Sequence, residues 1–96
     1  MSPKNKIKLN VLRKKLDIID HRLLKVIKNR SEIIKKVLLL KKYKSEIVDQ
    51  KRISFILNKI RKKSIKKKID PKITNTIWKN MIGAYIDYEK RNFKKK

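Results

Sequence analysis

From Leu9 onward the apolar positions of the chain run Leu9, Leu12, Leu16, Ile19, Leu23, Val26, then Arg30, then Ile33, Val37 and Leu40. Their steps alternate three and four, the spacing of a helix with a sustained inner seam. No glycine or proline interrupts residues 4 to 70, so nothing punctuates this stretch. The pattern predicts one helix over about Lys8 to Lys42, roughly 50 Å long at 1.5 Å per residue. A compact domain of this chain length has a radius of gyration of only about 12–13 Å. The rest of the chain cannot cover such a helix, and a second copy is its natural cover. Residues 43–48 break the pattern and read as a loop. A second helix starts near Asp49 and carries Ile53, Ile56, Leu57 and Ile60 on one face. Its end is expected to dissolve into the lysine-rich stretch Arg61–Lys68, a solvated turn. A third helix has a clear start, with Asp70 as N-cap and Pro71 at the first helical position. Its inner stripe is Ile77, Trp78, Met81, Ile82 and Tyr85. The first seven residues and Lys90–Lys96 read as frayed ends.

Composition narrows the class. Ninety-six residues make one domain, with one Gly, two Pro and 6% aromatics. That is too few turn and aromatic residues for an all-β fold. The expected fold is therefore all-α, three helices with a very long first one. Its domain spans residues 9–93, between a disordered stretch at 1–8 and a basic tail at 94–96. Cysteine is absent, which removes disulfides, thiolate metal sites and a Cys nucleophile. The lone His21 makes no metal cluster and is read as facing solvent. The longest apolar run, Val37–Leu40, falls far short of a membrane span. The basic opening is not followed by an apolar signal core. A soluble cytoplasmic protein is expected.

A formal charge of +23 raises the possibility of nucleic acid or an anionic membrane as partner. Of the 31 cations, however, 25 are Lys and six are Arg, and they spread along the whole chain. A nucleic-acid surface needs cations gathered on one exposed face, with side chains that stack on or read bases. Most of the lysines therefore read as solvated surface, and the arginines carry more information.

Three charges fall where apolar residues belong. Arg30 occupies a seam position of the first helix, and Lys41 follows eleven residues later, back on the same face to within about 20°. The stripe of Ile34 and Val37 thus has a cation at each end, about 16 Å apart along the axis. Side chains of that length can reach one small anion between them; a polar residue that merely sets helix register is the plain alternative. In the third helix, Trp78, Ile82, Tyr85 and Glu89 follow i, i+4, i+7 and i+11. A carboxyl continuing a buried stripe must be paired or protonated, unless it lies wet beyond a fraying end. Asp49 and Arg52, three apart, share a face of the second helix, as common surface pairs do. Asp17 and Asp20 read as surface partners of nearby lysines.

Taken together, these residues resemble the all-helical class of chorismate mutases over Leu9 to Phe93. That family opens its long helix with Leu-Arg-x-x-Ile/Leu-Asp-x-Ile/Leu-Asp, which here is Leu12-Arg13-Lys14-Lys15-Leu16-Asp17-Ile18-Ile19-Asp20. Its second arginine follows seventeen residues later, as Arg30 does, and its lysine eleven later still, as Lys41 does. The family's Asp-x-x-Arg-Glu reads Asp49-Gln50-Lys51-Arg52-Ile53, and its Gln or Glu near the end of the third helix matches Glu89. The resemblance implies an intertwined homodimer whose long helices pack together, with Arg13 entering the partner's site. Seventeen residues rotate Arg13 about 100° from Arg30, which agrees with the two serving different sites.

The implied reaction converts chorismate to prephenate by a 3,3 rearrangement that needs no nucleophile, metal or cofactor. The protein must hold a flexible dianion in its reactive conformer and stabilise charge growing on the ether oxygen. Arg30 and the partner's Arg13 suit carboxylates, to which a guanidinium offers two parallel donors. Lys41 serves the ether oxygen and a carboxylate. Asp49 accepts from the ring hydroxyl, with Arg52 orienting it or adding positive potential. Glu89 donates to the ether oxygen when protonated. Two positions depart from the family: Ile53 replaces a glutamate, and Tyr85 stands where well-known mutases have serine. Both features are nearer to the related isochorismate–pyruvate lyases, which eliminate pyruvate and leave salicylate. A lyase is thus the alternative on the same fold, although those lyases carry Gln where this chain has Glu89. A basic helical nucleic-acid binder is the more distant reading.

Overall fold

The computed structural model describes residues 1–94. It contains α1 (Pro3–Leu40), a single 3-10 turn (Lys44–Glu46), α2 (Gln50–Lys66) and α3 (Pro71–Asn92). The described chain is all-α, as the apolar periodicity predicts. The 38-residue α1 begins five residues earlier than the seam alone suggests. Pro3 sits in its first turn, where a missing N–H costs nothing, and the Ser2 hydroxyl accepts from the Asn5 N–H at 3.1 Å. The chain divides into two units, Met1–Ile33 and Ile34–Lys96.

The first unit is most of α1. Its seam residues Leu12, Leu16, Ile19, Leu23 and Val26 are each about half exposed or more. The apolar face that the sequence predicts is present, and this chain leaves it open to solvent.

The second unit holds the end of α1, the loop, α2 and α3. Here the covered stripe is Ile34 and Leu38 of α1, continued by Lys41 just past its end, one residue out of phase with the Ile33–Val37–Leu40 seam, which stays exposed. The two phases make two apolar faces on one helix, one used within the chain and one not. Helices α2 and α3 pack together; Ile53, Ile56, Leu57 and Ile60 of α2 and Trp78, Met81, Ile82 and Tyr85 of α3 are all half-buried. Ile77 does not join this stripe; it is 51% exposed, because it lies 100° round the helix from Trp78.

The expected dissolution of the second helix at Arg61 does not occur: α2 runs to Lys66. Its lysines point outward while Ser64 is buried, so the run keeps a dry face. The helix then stops in a Schellman arrangement. The Ile69 N–H donates to the Ser64 carbonyl (2.8 Å) and the Lys68 N–H to that of Ile65 (3.1 Å), which satisfies the terminal carbonyls. Lys68 adopts the required left-handed conformation, φ 60°, a place that glycine usually fills. Asp70 then caps α3, accepting from the Lys72 N–H at 2.9 Å, with Pro71 at the first helical position. Across the corner the buried Ser64 and Thr74 hydroxyls meet at 2.7 Å, and Ser64 donates to the Ile60 carbonyl at 2.7 Å. No helix among the described residues is long and apolar enough to cross a membrane.

Candidate active site

The second unit brings together two residues that lie 48 positions apart. Lys41 follows directly on the last residue of α1, and Glu89 stands on the last turns of α3. The Lys41 Nζ donates to Glu89 Oε1 at 2.8 Å. The pair is largely removed from water, with side chains 18% and 6% exposed respectively. Glu89 is thus neither beyond a fraying end nor wet: α3 continues to Asn92 and carries the carboxyl inward on the stripe of Trp78, Ile82 and Tyr85. Of the two states open to a buried carboxyl at this position, the structure shows the paired one. A buried ion pair is costly to assemble, and side chains that pack without charge are often as stable. Its placement here is therefore hard to ascribe to stability alone.

The other predicted residues fall as follows. Asp49 is the N-cap of α2, with Oδ1 accepting from the Arg52 backbone N–H at 3.0 Å; its carboxylate is exposed. Asp49 is therefore held by the backbone of Arg52. The guanidinium of Arg52 lies 5.5 Å from the centre of the Phe55 ring, and Lys59 approaches the same ring at 5.8 Å. Both distances are within the range of cation–π attraction, and the exposed ring serves as a platform for two cations. Ile53 and Tyr85 are half-buried on the facing helices α2 and α3. Arg13 and Arg30 belong to the first unit, where Arg13 is exposed and Arg30 half-buried on α1.

Sequence reasoning passes over Glu46. It lies in the loop after α1, and its Oε1 accepts from the backbone N–H groups of Lys42 (3.0 Å) and Tyr43 (2.9 Å). A carboxylate three residues after a helix-starting position is the usual signal of such a bond. The position here is Tyr43, a residue that does not advertise a cap. Beside Glu46, Ile47 is only 3% exposed and pins the loop to the core.

The second unit holds a buried ammonium–carboxylate pair where the ends of α1 and α3 meet, and it holds a carboxylate and a guanidinium at the start of α2. An ammonium and a guanidinium can each bind an anion, and a carboxylate can accept from a hydroxyl. No curated protein matches the chain, and no solved structure does. A family model described as Chorismate mutase type II matches residues 12–90, a span that takes in Arg13, Arg30, Lys41, Asp49, Arg52 and Glu89. With that match covering far more than half of its length, the chain belongs to the chorismate mutase type II family.

Proposed function

We propose that this chain is a chorismate mutase that works as a homodimer, with Arg13 of each subunit completing the other's site. The observation that carries the reading is the buried Lys41–Glu89 pair at 2.8 Å, which lies on the two positions where the family keeps a lysine and a Gln or Glu. The dimer is supported by the exposed seam Leu12, Leu16, Ile19, Leu23 and Val26, an apolar face of the length that a second α1 would cover.

In the rearrangement the ether C–O bond breaks as a new C–C bond forms within the same molecule, and no atom is gained or lost. The enzyme contributes geometry and charge. Arg30 and the partner's Arg13 each grip a substrate carboxylate through parallel donors, and this holds the compact conformer. Lys41 leaves its contact with Glu89 to face the ether oxygen and a carboxylate, where negative charge grows. Asp49 accepts from the ring hydroxyl. Glu89 donates to the ether oxygen once it carries a proton in the complex. Glu89→Gln, which keeps a donor at this position, is expected to retain more turnover than Glu89→Ala in the prephenate assay. Equal turnover in the two variants removes Glu89 from this role.

Ile53 and Tyr85 favour one second reading, isochorismate–pyruvate lyase chemistry in the same cage. Separate incubations with chorismate and isochorismate decide between them. Prephenate from chorismate supports the mutase; salicylate from isochorismate alone supports the lyase. Arg30→Ala serves as control and lowers kcat/KM at least about a hundredfold, through loss of two charge-assisted hydrogen bonds.

A further inference from the structure

Lys41 has to deliver an ammonium group to a fixed point on a long, flexible stem, yet it sits just past the end of a helix, where backbone order usually falls. Something must hold the backbone there. The Lys41 N–H reaches back to the Leu38 carbonyl at 3.2 Å. The next two N–H groups, of Lys42 and Tyr43, both converge on Glu46 Oε1 at 3.0 and 2.9 Å. The loop closes on itself as the Glu46 N–H donates to the Tyr43 carbonyl (3.0 Å) and the Ile47 N–H to that of Lys44 (3.1 Å). Ile47 is buried, and two residues later Asp49 caps α2. Residues 41 to 49 are therefore a bracket with a proposed site residue at each end, and one carboxylate is its clasp.

We propose that Glu46 is a positioning residue for Lys41. Its carboxylate fixes the two peptide groups that follow Lys41 and so sets the direction from which the ammonium enters the site. The bonds are charge-assisted, about twice as strong as neutral ones. Glu46 itself is exposed and packs no core. Its loss leaves the Lys42 and Tyr43 N–H groups to water, which frees the loop without opening the hydrophobic interior. The role rests on the mutase reading only for its kinetic consequence; the clasp on Lys41 can be tested without substrate.

The test compares Glu46→Ala with Glu46→Gln, whose amide oxygen can still accept both N–H bonds. The substrate-free measurement is the ¹⁵N signal of the Lys41 ammonium, which is protected from exchange while it is held by Glu89. That signal is expected to persist in wild type and Glu46→Gln and to broaden into exchange in Glu46→Ala. In the prephenate assay Glu46→Ala is expected to lower kcat about ten- to a hundredfold, the scale of an ångström-level misplacement, while Glu46→Gln stays within about threefold of wild type. In a Lys41→Ala background, Glu46→Ala should cost little more, because residues acting through one another are not additive. An unaltered Lys41 signal in Glu46→Ala overturns the proposal, as does a full additional loss in the Lys41→Ala background. A wild-type protein that holds the Lys41 signal but makes no prephenate refutes the mutase reading and leaves the clasp standing.

Discussion

At the scale of single residues, Lys41 and Glu89 carry the chemical argument. Removing one partner of a buried pair strands the other charge, so Glu89→Ala is expected to lower unfolding free energy by about 3 kcal/mol, read from denaturant titration. Glu89→Gln, which can still accept from Lys41, should cost clearly less. A negligible loss in Glu89→Ala would contradict a buried charge held by Lys41. The sequence made both residues visible for one reason: each is a charge on an apolar stripe, at a spacing that returns to the covered face. Glu46 was hidden because it stands in a loop without periodicity, and its partners are backbone N–H groups that no side-chain pattern reveals. The Arg52 guanidinium was only partly legible. Its three-residue spacing from Asp49 marks the shared face, but the Phe55 ring that receives the guanidinium comes from the three-dimensional neighbourhood.

At the scale of elements, the three helices follow from apolar periodicity and from the Asp70–Pro71 start signal, which the structure reproduces. One missed boundary is the end of α2. A run of lysines looks like a turn when read as composition, yet Ser64 and Ile60 keep one face of it dry, and small polar residues do not register in an apolar pattern. The left-handed Lys68 hides the stop for a similar reason, since a lysine gives no sign of positive φ. Lys68→Gly should therefore raise stability by about 1 kcal/mol, because glycine enters this conformation without the Cβ penalty. Thermal unfolding followed by circular dichroism checks it, and a lower midpoint would contradict the Schellman reading. Asp70→Ala should cost about 1 kcal/mol by removing the cap of α3.

At the scale of the whole molecule, the exposed seam of α1 and the high positive charge pull in opposite directions. Burying the seam against a second copy offers about 2 kcal/mol for each large apolar side chain, while two chains of +23 repel each other. Added salt screens that repulsion. Dimerisation is therefore expected to tighten as salt rises from low to physiological levels, measured by sedimentation; binding of the dianionic substrate should weaken over the same range. Leu16→Lys with Leu23→Lys should leave no dimer at micromolar concentration. The most direct test of a shared site mixes two inactive variants. Arg13→Ala and Lys41→Ala each spoil every site of their own homodimer, but a mixed dimer holds one site free of both substitutions. Unfolding and refolding the two together in equal amounts should recover about a quarter of wild-type prephenate formation, since half the dimers are mixed and each has one good site. A mixture no more active than its separate components would contradict a site completed across subunits.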